Sequence, residues 1–197
     1  QYSKNPRYGS IEEEHVDTFR WIARPKANNG PGFVDWLYEE ECLFWISGKP
    51  GAGKSTLMKF IHGLKQPLQL IGSSWGTGPA KLISFFFSEM GTPSERSFLG
   101  LLHCLLSQLL VAIPESIPII QDRYQRLFLR SGSESQRSTI WTEAELQGAF
   151  DDIIRAQQSN ASFFCIVDGL DECEESKTHE TLGFLRKPSQ TNSGFNR

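Results

Sequence analysis

Residues Phe44–Thr56 read FWISGKPGAGKST: an apolar run, a glycine-rich turn, then Lys-Ser-Thr. Gly48, Gly53, Lys54 and Ser55 satisfy the spacing G-x-x-x-x-G-K-[ST], with Gly51 as an extra glycine inside it. A loop that curls its amide N–H groups around a phosphate needs backbone conformations that a Cβ would obstruct, which is why glycine recurs there. In such a loop Lys54 would reach the β and γ phosphates and Ser55 would ligate Mg²⁺. Thr56 would stand at the positive end of the following helix, near the α phosphate. At average residue usage, four constrained positions recur by chance in a chain this long on the order of one time in a hundred. The context therefore matters, and here an apolar run precedes the loop and an amphipathic stretch follows it.

Working outward, Cys42–Ser47 (CLFWIS) has the continuous apolar character of a strand buried on both faces of a parallel sheet. Residues 54–63 (KSTLMKFIHG) put Leu57, Met58, Phe60 and Ile61 on a helix that Gly63 and Pro67 can end. Lys81–Glu89 (KLISFFFSE) is a second buried-strand candidate. From Ser94 a broad leucine-rich face runs as one helix to Pro114, and its plain reading is core packing. Residues 131–138 (SGSESQRS) suit a loop. Thr142 with Glu145 forms a capping box for a helix whose Leu146, Phe150, Ile153 and Ile154 share a face, and FFCIVD to Asp168 is the third strand. Upstream, Ile11–Ala23 has helical spacing with Ser10 as its cap, and 33–40 (FVDWLYEE) reads as a short second helix.

This order predicts an α/β, P-loop NTPase fold: a parallel, doubly wound sheet with flanking helices. We divide the chain into a helical lead-in (1–40), a P-loop core (41–187) and a polar tail (188–197) expected to be disordered. Because the chain opens on Gln1 and stops in PSQTNSGFNR, the expectation is of a core truncated at its C-terminus.

A second motif lies at 163–172, FFCIVDGLDE. A carboxylate at the carboxyl end of a parallel strand beside a phosphate loop can hold Mg²⁺, usually through its waters, and Asp168 is placed for that. Glu172 would orient and polarise the attacking water, with Asp171 supporting the metal shell or the turn. Alone, an acidic Asp-Gly turn after a strand is ordinary turn chemistry; an upstream phosphate loop is what gives it meaning.

The remaining composition narrows the field. A net charge of −3 gives no reason to expect broad binding to nucleic-acid backbones. No apolar run approaches the roughly 20 residues of a membrane helix, so no membrane partner is expected. Four cysteines without CxxC pairing suit reduced thiols and a cytosolic or nuclear, here cytoplasmic, location. The histidines at 15, 62, 103 and 179 lack metal-ligand spacing.

Taken together, FVDWL, LFWISGKPGAGKSTLMKFI, ISFFFSEMGTPSERSFLGLLHCLLSQLL, WTEAELQGAF and FFCIVDGLDE resemble the NACHT domain of fungal NOD-like receptors, a region also described as a nephrocystin-like N-terminal domain. The resemblance runs from about Ile11 to about Leu185. It implies a STAND-type switch in which ADP-for-ATP exchange opens a receptor that self-associates or engages its other domains, in fungal non-self recognition or regulated cell death. Under it, Gly48, Lys49, Pro50, Gly51, Ala52, Gly53, Lys54, Ser55 and Thr56 match the Walker A segment, Asp168 the Walker B aspartate, and Asp171 with Glu172 the extended acidic pair. Hydrolysis, where present, would be slow. The family inclines the base to adenine, and guanine stays open because no base-reading motif is visible. The chain departs from the family in having no sensor-arginine segment and no winged helix. Two other readings stand beside this one: a catalytically inactive interaction fragment, and a P-loop small-molecule kinase, for which no arginine-rich lid is evident.

Overall fold

The computed structural model describes residues 6–11, 18–23, 32–37, 43–64, 80–130, 141–157 and 161–191. Its elements are α1 (Pro6–Ser10), α2 (Phe33–Trp36), α3 (Lys54–Gly63), β1 (Lys81–Phe86), α4 (Pro93–Arg96), α5 (Phe98–Ala112), α6 (Ile117–Arg130), α7 (Glu143–Gln157), β2 (Phe163–Asp168) and α8 (Thr178–Thr191). Short 3-10 turns join several of them.

β1 and β2 pair in parallel, from Lys81 opposite Phe163 to Phe86 opposite Asp168. β1 is buried on both faces from Ile83 to Phe86, whereas on β2 Phe164, Ile166 and Asp168 are buried and the alternate positions are partly or fully exposed. Successive side chains of a strand point to opposite faces. Ile83 and Phe85 therefore enter one core with Phe98, Leu101, Leu102, Leu105 and Leu109 of α5 and Leu146, Phe150 and Ile153 of α7. Phe86, Phe164 and Ile166 enter a second core with Leu57 and Ile61 of α3 and with Ile22, Phe33 and Leu37. The same alternation carries Asp168, two residues beyond Ile166, onto the α3 face. α8 closes the first core, its Phe184 ring lying edge-on to Phe98 (5.7 Å) and Phe150 (5.0 Å). On β1, the backbone of Ser84 is satisfied by a side chain: its N–H donates to Gln108 Oε1 (2.9 Å) and its carbonyl accepts from Gln108 Nε2 (2.7 Å). An amide from α5 thus serves strand backbone that would otherwise lack a ladder partner.

Several expectations need correction. Leu43–Lys49 is not assigned as a strand, and it is not buried on both faces: Phe44 and Ile46 pack partly against the α3-side core, while Leu43 (40% exposed) and Trp45 (59%) face outward. A run covered on one face only reads the same in sequence as one covered on both, because here the outward positions are also apolar. Cys42 itself lies outside the described residues. The helix expected from Ser94 is two helices, because Ser97 is extended (φ −106°, ψ 150°) and re-caps the chain, its Oγ accepting from the Gly100 N–H at 3.1 Å. Pro114 ends α5 but not the helical region, since α6 follows at once. Ser10 is the last residue of α1, its hydroxyl donating to the Arg7 carbonyl at 2.8 Å. Of the helix expected at 11–23, Arg20–Ala23 form a 3-10 turn and residues 12–17 lie outside the described set. The same holds for 38–40 of the second lead-in helix and for the 131–138 loop. α8 runs through Thr191, past the boundary drawn at 187, and residues 192–197 are outside the description.

Candidate functional site

The loop before α3 takes its shape from two glycines. Gly51 (φ +75°) and Gly53 (φ +78°) adopt the left-handed region that a side chain resists. Between them the chain turns on itself, the Ala52 N–H donating to the Lys49 carbonyl at 3.1 Å. Gly53 then starts the helix, its carbonyl accepting from the Leu57 N–H at 2.9 Å. α3 begins at Lys54, so Lys54, Ser55 and Thr56 occupy its first turn, where backbone N–H groups have no partner within the helix and the dipole favours negative charge. Lys54 arcs back over the loop, its Nζ donating to the Gly48 (2.9 Å) and Lys49 (3.3 Å) carbonyls. Gly48, Lys49, Pro50, Gly51 and Ala52 are exposed, so the mouth of the loop is open to a ligand.

The end of β2 meets this loop. Asp168 is 6% exposed, and the Ser55 side chain and the Gly169 backbone lie near enough to its carboxylate to favour its charged form by hydrogen bonding. Burial pushes its pKa above the ordinary carboxylate value; the two hydrogen bonds oppose that, the Glu172 charge adds to it, and Arg7 opposes it more weakly. A carboxylate kept where its charge is disfavoured, beside a serine hydroxyl, is a strong candidate to receive a cation.

Gly169 (φ +68°) makes the turn after Asp168. A Cβ there would lie 3.0 Å from the Phe87 carbonyl oxygen. The chain then winds into a 3-10 turn over Leu170–Glu172, closed by the Glu172 N–H donating to the Gly169 carbonyl at 2.8 Å. The Glu172 carboxylate returns toward the site: it accepts from the Glu89 N–H at 2.9 Å, and its Oε1 lies 3.5 Å from Arg7 Nη2. Asp171 is exposed on the outer side of the same turn.

The structure thus brings Ser55, Asp168 and Glu172 into one constellation beside the loop of residues 48–56, and leaves Asp171 at its margin. Sequence reading missed two members, Arg7 and the Glu89 amide. Both join through tertiary contact alone, and no spacing in the chain signals them. Among the described residues no group of three or more His, Cys, Asp or Glu side chains is arranged to hold a metal ion. The chain's own share of a Mg²⁺ shell would be the hard oxygens of Ser55 and Asp168, which suit that ion, the rest falling to phosphate oxygens and water.

Among the described residues no single helix is long and apolar enough to cross a membrane. Cys104 and Cys173 are buried free thiols, and Cys165 is a free thiol exposed at β2. A family model described as nephrocystin 3, N-terminal, matches residues 17–195. No curated protein and no solved structure matches the chain.

Proposed function

The chain belongs to the nephrocystin 3 N-terminal family, and from that premise we propose that it is a Mg²⁺-dependent nucleoside triphosphate-binding module, for ATP and ADP, of a NACHT-type STAND switch with a P-loop NTPase fold. One observation carries the reading: the Ser55 side chain of the glycine loop lies beside the buried Asp168 at the end of β2, near enough to favour its charged form, so two motifs far apart in the chain meet at one point. Loop geometry supports it, through the left-handed Gly51 and Gly53 and a lysine held over the loop mouth.

In this reading the N–H groups of residues 48–56 and the start of α3 cradle the phosphates, Lys54 reaches the terminal ones, and Ser55 with Asp168 holds the metal. When bound, Mg²⁺ would neutralise charge on the β and γ phosphates. Glu172, whose charge acts on Asp168, is the acid that would orient a water. Its carboxylate already engages Arg7 and the Glu89 N–H, which favours slow hydrolysis over rapid turnover. A slow site suits a switch, whose output is the bound state rather than the product. The resemblance of the sequence extends the proposal to fungal-type non-self recognition or regulated cell death, with self-association or neighbouring receptor domains as partners. Unpaired thiols support a cytoplasmic setting.

The test is mass spectrometry of the small molecules released when the purified protein is denatured. We expect ADP or ATP near one per chain. Protein that carries none, and takes up none on incubation with Mg-ATP, would overturn the proposal.

A further inference from the structure

Arg7 is the charged residue at the site that phosphate-loop chemistry does not require. It sits on α1, and its guanidinium pairs with Glu172 at 3.5 Å while its charge also acts on Asp168. The helix that delivers it is fastened to the helix that carries Ser55. Tyr8, the next residue, packs its ring 4.7 Å from His62 of α3 and 5.4 Å from the fully buried Phe86. Lys59 of α3 donates to the Ile11 carbonyl at 2.6 Å and lies over the Tyr8 ring at 5.4 Å. α1 is therefore held against α3 by aromatic packing, with its arginine placed over the acids that end β2.

A divalent cation at Ser55 and Asp168 would bring two positive charges to carboxylates that Arg7 already serves. Both would draw on the same negative charge, and each would repel the other. The Arg7–Glu172 pair is the weaker partner in that contest: its side chains are 31% and 29% exposed, so it is partly screened and can be given up.

We propose that Arg7 is a built-in counter-cation of the Asp168–Glu172 acid pair, which competes with a divalent metal ion there, so that metal binding releases Arg7 and loosens α1. The metal's location rests on the function proposed above; the competition itself is a property of these three side chains. Two consequences follow. Glu172 would be freed from Arg7 as the metal enters, and the state of the metal site would be read out at a helix outside the phosphate loop.

The test uses Mn²⁺ as probe, titrated into the full chain with and without ADP, free Mn²⁺ being followed by electron paramagnetic resonance. Arg7→Gln should bind Mn²⁺ roughly tenfold tighter than wild type, the scale of one unlike-placed unit charge at partly screened range. Arg7→Lys, which keeps the charge, should stay close to wild type and controls for any loss of folding. In wild type, Mn²⁺ should speed amide hydrogen exchange in the peptide covering residues 6–10. Equal or weaker Mn²⁺ binding by Arg7→Gln, or no Mn²⁺ binding by either protein, would overturn the competition. Either of those results with ADP binding intact leaves the nucleotide reading standing. Tighter Mn²⁺ binding by Arg7→Gln without any ADP binding would instead sink the nucleotide reading and keep the competition.

Discussion

Replacing Ser55 by alanine isolates the contact on which the site is built. Asp168 is 6% exposed, and the Ser55 side chain is the first of the groups that lower its pKa against burial. A hydrogen bond to a buried charged group contributes about 1.5–3 kcal/mol, and removing its donor leaves the carboxylate with less of the solvation it lost on folding. Ser55→Ala should therefore lower stability by about 2 kcal/mol at pH 7.5 in the presence of EDTA. For a chain of this size that corresponds to a melting temperature lower by about 4–8 °C. In an Asp168→Asn background the same serine faces a neutral amide, where the bond contributes only about 1 kcal/mol. The double-mutant cycle should thus show a coupling of about 1 kcal/mol, measured by urea unfolding of the four proteins. Asp168→Asn alone should raise stability in EDTA, because it removes a charge that burial disfavours. Equal costs of Ser55→Ala in both backgrounds would refute the contact and, with it, the convergence of the two motifs.

Other substitutions test the frame around that contact. Gly169→Ala should cost about 1–2 kcal/mol from its left-handed backbone alone, with more from a Cβ set 3.0 Å from the Phe87 carbonyl oxygen; urea unfolding indistinguishable from wild type would refute the turn. Phe98→Ala, at a fully buried side chain that carries the Phe184 ring of α8, should cost about 3–5 kcal/mol and deprotect α8 in hydrogen exchange; an α8 that stays protected would argue against its docking on this core. Burial depresses the pKa of His62 below its ordinary 6.5. The unfolded chain then takes up a proton near pH 6.5 that the folded chain accepts only at lower pH, so stability should fall as pH drops from about 6.5 through the depressed value. His62→Phe should flatten part of that fall in unfolding measured from pH 7.5 to 5.5, His103 contributing in the same direction; an unchanged slope would refute the burial of His62.

What could be read in the sequence followed from how local the cause was. The helix at 54–63 and the strand at 163–168 were legible because a glycine turn and a continuous apolar run fix them within a few residues. The position of Asp168 at the end of that strand was legible for the same reason, and strand alternation sends it to the face where Ile166 is buried. α6 was not, because Pro114 and Pro118 look like helix breakers; both stand in first turns, where a missing N–H costs nothing. The split at Ser97 was hidden because PSERS is polar and the apolar pattern begins only at Phe98, so no periodicity marks where one helix ends and the next starts. Leu43 and Trp45 misled because apolar residues on an exposed face imitate a strand buried on both sides. Arg7 was beyond reach: its place at Glu172 depends on Tyr8 packing against His62 and Phe86, and nothing in the sequence PRYGS announces that.

In the proposed function, residues 48–56 grip a nucleotide whose metal is held by Ser55 and Asp168. Calorimetric titration of Mg-ADP into wild type and Lys54→Ala tests it most directly. Wild type should bind saturably near one per chain, and Lys54→Ala should lose at least about tenfold in affinity, in line with the cost of a charged contact to phosphate. Equal affinities, or no heat of binding in wild type protein freed of prior ligand, would contradict it.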